Sequence, residues 1–190
     1  MNEYHRRQAE WHEREHYRAG SPRNPDNSHP AVAWLNGFRL RKLLELLPEP
    51  LAGRTVLSLC GGDGQEGDLL RRQGARVTVA DLSRVGLAAA RLRHADLRVV
   101  SADSERLPFP DAVFDWVVVR DGLHHLEHPR QGLAEMARTA RRGFALLEGQ
   151  DSRAVRLLVR LGVGSDHEPS GNFVYRFRRE ELARFFATVP

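Results

Sequence analysis

Four groupings of residues in this chain have types and spacings that can do chemistry. The stretch Leu57 to Gly67, LSLCGGDGQEG, contains G-x-G-x-x-G from Gly62, a loop so bare of side chains that a ligand can approach its backbone. Asp81 ends the run VTVAD and Asp103 ends LRVVSAD, and an acid at either place can accept hydrogen bonds from hydroxyl or amino groups. His124 and His125 come directly after FDWVVVRDGL, and an imidazole is the side chain best suited to take a proton near neutral pH. Last, HEREH at His12 to His16 matches H-E-x-x-H, in which two imidazoles on one helical face bind zinc and Glu13 acts as base. That segment starts close to the amino terminus, is polar nearly all round and brings no third ligand. It is read as a coincidence of a short pattern, and no metal site is expected.

Composition narrows the partners. With 190 residues, 41% of them apolar, the chain can bury one sizeable core and no second full domain. Its single cysteine, Cys60, excludes an intramolecular disulfide, and no basic-apolar leader or membrane-length apolar run is present. A cytoplasmic protein is the expectation. The 29 basic and 25 acidic residues leave a net charge of +4, but the arginines are scattered and interleaved with acids, which argues against nucleic acid. Lys42 is the only lysine, so neither a phosphate-binding G-x-x-x-x-G-K-[ST] loop nor a Schiff-base lysine enzyme can be written from this chain.

The elements that must hold these groups can be read from periodicity. Glu3 to Arg18 reads as a polar helix, ended by the turn-rich AGSPRNPDNSHP, and Ala31 to Leu47 as a second helix ended by Pro48 and Pro50. From Arg54 onward, strands and helices alternate: RTVLSLC, the helix EGDLLRRQG, ARVTVAD, the helix SRVGLAAARLRHA with Ser83 as N-cap, LRVVSAD, FDWVVVRD, the helix PRQGLAEMARTAR and GFALLEGQ. The strands are apolar throughout, as burial on both faces requires. The expected fold is α/β, a doubly wound, mostly parallel Rossmann-like sheet with helices on both faces and an N-terminal helical lid, and with its ligand at the carboxyl ends of the strands. The organisation is a helical cap over residues 1–50, a ligand-binding core over 51–149, and a substrate-side insertion with a final helix over 150–190, in one domain.

The glycine loop runs from the first strand into the first core helix, the usual seat of a dinucleotide pyrophosphate. Here Asp63, Glu66 and Asp68 stand at that helix end, where they compensate the dipole and repel a diphosphate. A ligand without phosphate, such as S-adenosylmethionine, fits better. VLSLCGGDGQEG resembles the first motif of class I S-adenosylmethionine-dependent methyltransferases, with Cys60, Gly62 and Gly64 at its three glycine positions. VVSADSERLPFPDAVFDWVVVRDGLHHLEHP is similar to the small-molecule branch of that family, the quinone-biosynthesis and natural-product methyltransferases. The resemblance runs from about Val56 to Gly149. It implies a loop of Ser58, Cys60, Gly61, Gly62, Asp63 and Gly64 around the methionine part of the cofactor, Asp81 on the ribose and Asp103 on the adenine amino group. Leu82, Ala102, Ser104 and Arg120, which flank these positions, complete the expected cofactor contacts.

The chain departs from the family at Ser58, where an acid is usual, at Cys60, where a glycine is usual, and after GFALLEGQ. The family sheet has seven strands, whereas the remainder of this chain reads as a linker-like QDSRAVRLLVRLGVGSDHEPSGN, a short FVYRF and a helix REELARFFATV. Either the sequence stops short of the natural protein or a second chain, like or unlike, covers the exposed sheet edge. The expected activity is methyl transfer to an O, N or C atom of a small molecule, with His125 and then His124 as candidate bases and Trp11 and Tyr17 of the lid against the acceptor. A non-catalytic S-adenosylmethionine-binding subunit that needs a partner, and an NAD(P)-dependent oxidoreductase, are the rival readings.

Overall fold

The computed structural model describes residues 3–15, 30–47, 49–168 and 170–188. Tyr17, His16 and the turn-rich segment after them lie outside the described residues. The described residues form seven helices and five strands in the order α1 (Glu3–Glu15), α2 (Pro30–Glu45), β1 (Thr55–Leu59), α3 (Gln65–Arg72), β2 (Arg76–Asp81), α4 (Arg84–Arg93), β3 (Arg98–Ser101), β4 (Phe114–Arg120), α5 (Pro129–Thr139), β5 (Ala140–Leu147), α6 (Arg153–Arg160) and α7 (Arg179–Phe186). All five strands are parallel, in the order β3-β2-β1-β4-β5. The order reverses between β1 and β2 on one side and β4 on the other, which opens a crevice at their carboxyl ends.

Strand alternation builds a core on each face of the sheet. Val56, Val77, Val79, Trp116 and Val118 point to one side, where Leu43 and Leu47 of the second helical segment and Leu70, Leu87 and Leu97 cover them. Leu57, Leu59, Val117 and Val119 point to the other, against Leu123, Leu133, Met136 and Phe177. Ser83 caps α4 by accepting from the Gly86 N–H at 3.0 Å, as its position before the apolar run required.

One reading of the carboxyl-terminal part needs correction. The stretch read as linker-like contains α6, capped by Ser152, whose hydroxyl accepts from Val155 N–H; its leucines and valines alternate with Arg153, Arg156 and Arg160 at helical spacing. FVYRF forms no strand, only isolated bridges from Phe173 to His167 and from Phe177 to Gln150. Phe177 turns into the core, and α7 lays Phe186 flat against Phe144 of β5 with ring centroids 5.3 Å apart.

The amino-terminal ends of three strands are joined by one carboxylate. Asp115 Oδ2 accepts from the Thr55 N–H and hydroxyl, both at 2.9 Å, and Oδ1 from Arg141 at 2.7 Å. The Thr55 N–H, with the help of Arg141, holds the Asp115 carboxyl at about 2, below the ordinary range. A depressed acid stabilises the fold above its unfolded pKa, and that contribution fades as pH falls toward the folded value. Stability is therefore expected to drop between about pH 4 and 2. Asp115→Asn should flatten that slope and cost about 1 kcal/mol at neutral pH after solvent screening, as read by urea melts across pH.

At the opposite end of the sheet a second close fit is testable. Cys60 adopts a left-handed conformation with φ 50°, and a Cβ on Gly122 would lie 2.4 Å from Cys60 Cβ. Gly122→Ala should cost about 1–3 kcal/mol through this overlap. Adding Cys60→Gly should recover part of the loss, and a double-mutant cycle on melting curves would show the coupling.

Candidate functional site

The crevice is a cavity of about 730 Å³ bordered by the β1–α3 loop, the end of β2, the turn after β4, the start of the segment after β5, and α1 and α2. On its first wall lie Cys60, Gly61, Gly62, Asp63, Asp81, Leu82, Ser83 and Ser104. Gly62 and Gly64 have φ of 47° and 85°, the conformation that glycine adopts without steric penalty. Asp81 Oδ2 accepts from Gly62 N–H at 2.9 Å and Oδ1 from Ser83 N–H at 2.7 Å, which fixes the carboxylate at the cavity edge. Asp81 keeps part of its surface open and is otherwise enclosed, and that enclosure pushes its pKa up against the pull of the two N–H groups. Cys60 is held protonated by burial, with the charge of Asp81 adding to it, and its sulfur lies 3.3 Å from the Ser104 hydroxyl. A thiol so held is no nucleophile.

The acids that crowd the start of α3 are paired with arginines. Asp63 meets Arg93, Glu66 meets Arg120, and Asp68 faces Arg71 and Arg72 at 2.9 and 2.7 Å. The repulsion expected of three carboxylates is thus neutralised by side chains. Arg120 is on the cavity wall as the sequence suggested, tied to Glu66 and to Asp121, which Arg39 of α2 also grips.

Other expected contacts are placed elsewhere. Ser58 is buried beneath Gly61 and does not border the cavity, Gly64 packs against Ala90 and Leu97, and Ala102 belongs to the core. Asp103 is turned away from the cavity into a groove beside α1. Its Oδ1 accepts from Glu105 N–H at 2.9 Å, and its Oδ2 lies 3.2 Å from His5 Nδ1. The cause is the short turn after β3, in which Asp103 closes its own backbone loop, and the buried imidazole of His5, which bridges Asp103 and Glu105.

The second wall is built by the turn after β4 and by α1. Leu123 to His125 form a single 3-10 turn, and the carboxylate of Glu148, just past β5, gathers it. Glu148 Oε1 accepts from the Gly122 and Leu123 N–H groups, both at 2.7 Å, and Oε2 lies 2.8 Å from His124 Nδ1. His124 Nε2 is 3.4 Å from Glu168 Oε1, and His125 Nδ1 is 3.1 Å from Glu168 Oε2. Burial opposes a charge on His124, but the hydrogen bonds to Glu148 and Glu168 outweigh it and push its pKa up to about 10. The raised pKa favours the protonated form of His124 over the free base. Helix α1 closes this wall: Trp11 and His12 border the cavity, the His12 ring meets His125 edge-on at 4.8 Å, and Gln8 donates to the Ser170 carbonyl at 3.3 Å. Of HEREH, Glu13 accepts from the Ser83 hydroxyl at 3.4 Å, which ties α1 to the start of α4.

Sequence reasoning missed Glu148, Glu168 and Arg39. Glu148 stands at the carboxyl end of a parallel strand, the place where ligands gather, and that signal could have found it. Glu168 lies in a loop without periodicity, and Arg39 resembles any other helical arginine; neither gave a signal.

Residues 57–147 match the family model described as a methyltransferase domain. A demethylmenaquinone methyltransferase of Clavibacter sepedonicus is 39% identical over 60% of this chain and 47% of its own length. A ubiquinone/menaquinone biosynthesis C-methyltransferase of Pseudomonas fluorescens is 33% identical over 57% of this chain and 46% of its own. The match thus spans about half the length of these curated relatives. The fold is shared with the geranyl diphosphate C-methyltransferase of Streptomyces coelicolor, solved with Mg²⁺, geranyl diphosphate and S-adenosyl-L-homocysteine. That comparison has a TM-score of 0.71 and 15% identity, and covers 99% of this chain and 79% of the other. The strand order, the glycine loop, the acid at the end of β2 and these matches agree: residues 57–147 are similar to a methyltransferase domain, and the chain has the Rossmann-like fold of the methyltransferases.

Proposed function

We propose that this chain transfers the methyl group of S-adenosylmethionine to an oxygen, nitrogen or carbon atom of a small-molecule acceptor. The observation that carries the reading is Asp81. It faces the cavity as a carboxylate with no ion-pair partner among the described residues, while the neighbouring Asp63, Glu66 and Asp121 each hold an arginine. Its remaining lone pairs suit the two hydroxyls of a ribose. The cavity volume suits a nucleoside-sized ligand with a small acceptor beside it.

The roles divide by wall. Asp81, Leu82, the Gly61–Gly62 backbone and Ser104 hold the cofactor, which supplies an electrophilic methyl group when bound. Trp11, His124, His125, Leu126 and Val174 face the acceptor, and α1 keeps water out. The protein's work is mainly to hold acceptor and methyl in line. Ionic and imidazole groups on the second wall favour an acceptor with a polar head, and the C-methyltransferase name of one quinone-pathway relative supports a carbon atom as the one methylated. No helix among the described residues is long and apolar enough to cross a membrane; a cytoplasmic location is proposed because the one cysteine, Cys60, is a free thiol, as a reducing compartment keeps it.

Calorimetric titration tests the cofactor. S-adenosylhomocysteine should bind with micromolar affinity and NADH should not. Asp81→Ala should weaken binding at least about tenfold, the cost of a charge-assisted hydrogen bond. Asp103→Ala should weaken it less than about threefold, because His5 and the Glu105 N–H already occupy that carboxylate. Binding of NADH by the folded chain would overturn the assignment.

A further inference from the structure

We propose that His124, His125 and Glu168 form a binding site for a first-row divalent transition ion, open toward the acceptor side of the cavity; the place given to the acceptor rests on the methyltransferase reading above. One ligand atom from each residue lies within 4.8 Å of the others. The Glu168 carboxylate is 3.4 Å from His124 Nε2 and 3.1 Å from His125 Nδ1. Ligand bonds of about 2.0–2.2 Å place adjacent donors about 3.0–3.5 Å apart, so both separations are those of neighbouring ligands on one ion.

Two further observations point the same way. His125 Nδ1 is buried and makes no hydrogen bond among the described residues, although the Glu168 oxygen is only 3.1 Å off. The pair is near but not aligned for a proton between them, whereas an ion bridges two donors from beside the line that joins them. His124 presents Nε2 to the site because its Nδ1 is engaged by Glu148 at 2.8 Å, and Glu148 is itself fixed by two backbone N–H groups; an ion bound at Nε2 takes the place of the proton that Glu168 otherwise holds there, so binding releases a proton. That is the carboxylate–histidine arrangement which orients a metal-bound imidazole. The other cluster with suitable donors, Asp121 with His124 and Glu148, is already spent: Asp121 pairs with Arg39 and Arg120, and Glu148 has its donors. Two imidazoles and one carboxylate select zinc, cobalt or iron(II) over magnesium. Three protein ligands leave coordination positions for an oxygen of the acceptor, so the site favours acceptors that carry an oxygen next to the methylated atom.

The test uses the whole chain, stripped with chelator and titrated with Co²⁺ while visible absorption and heat are followed, and with S-adenosylhomocysteine in parallel. One Co²⁺ per chain is expected, with Mg²⁺ at least about a hundredfold weaker. His125→Ala and Glu168→Gln should each weaken Co²⁺ at least about tenfold, and Glu148→Gln about tenfold through the orientation of His124. Asp121→Asn and His12→Asn should leave it within about twofold. Near-ultraviolet circular dichroism and retained S-adenosylhomocysteine binding show that each variant is folded. A folded chain that binds S-adenosylhomocysteine but no Co²⁺ overturns the metal site alone. Loss of Co²⁺ in Asp121→Asn or His12→Asn with none in Glu168→Gln overturns the assignment of ligands. Co²⁺ binding without S-adenosylhomocysteine binding upholds the ion site and overturns the cofactor reading.

Discussion

The second wall of the site depends on one buried carboxylate. Glu148 leaves β5 where the sheet ends, and its two oxygens collect three donors from the turn after β4: the N–H groups of Gly122 and Leu123 and the ring of His124. At that point the β4 backbone has left the sheet ladder, and its N–H groups need acceptors that water cannot supply in an enclosed cavity. Glu148 supplies them, and so sets the direction in which His124 and His125 project. A neutral isostere would keep the shape and lose half of this, because an amide accepts at one end only. Removal of the charge would therefore loosen the turn before it altered any contact with a ligand. Gly122 fits the same constraint from below, since the left-handed Cys60 fills the space a side chain there would need.

Helix α1 obeys a different logic. It is polar and only partly buried. It is fixed by polar links to three separate parts of the core: His5 to Asp103 and Glu105, Gln8 to the Ser170 carbonyl, and Glu13 to Ser83. Such links exchange readily with water, at about 0.5–1.5 kcal/mol each, so a helix held this way can open without unfolding the core beneath it. That suits a cavity whose ligand must enter and leave. The same helix takes up the Asp103 carboxylate through His5, away from the cavity wall.

Much of this was legible in the sequence, for reasons that differ from part to part. The core strands announced themselves because burial on both faces leaves continuous apolar runs, and the turn chemistry of Gly62, Gly64 and Ser83 marked where loop became helix. The position of Asp81 at the cavity edge was legible because it ends a parallel strand, where ligands gather. Helix α6 was missed because its apolar face stays largely exposed, as Leu157 and Leu161 are, so no core argument required it. Asp103 was misplaced, and Glu168 missed, for a shared reason: both depend on contacts between segments far apart in the chain, α1 with the β3 turn and the loop before α7 with the turn after β4. Residue type and spacing carry information about neighbours along the chain, and such contacts leave no trace there.

The charge pattern of the cavity stems from the almost exclusive use of arginine. Asp63, Glu66 and Asp121 are each neutralised by a guanidinium from a different element, α4, the end of β4 and α2, and a planar fork can hold a carboxylate while its remaining N–H groups serve a neighbour, as Arg120 does between Glu66 and Asp121. Lysine, a point charge on a flexible stem, would hold one acid and leave the geometry loose. The result is a cavity in which most formal charge is balanced before any ligand arrives. The two places where it is not balanced by arginine, Asp81 and the carboxylates around His124, lie on opposite walls. Under the proposed reading, Asp81 meets hydroxyl donors on one wall and the carboxylates around His124 meet a cation on the other, which would divide a single cavity into a cofactor half and an acceptor half.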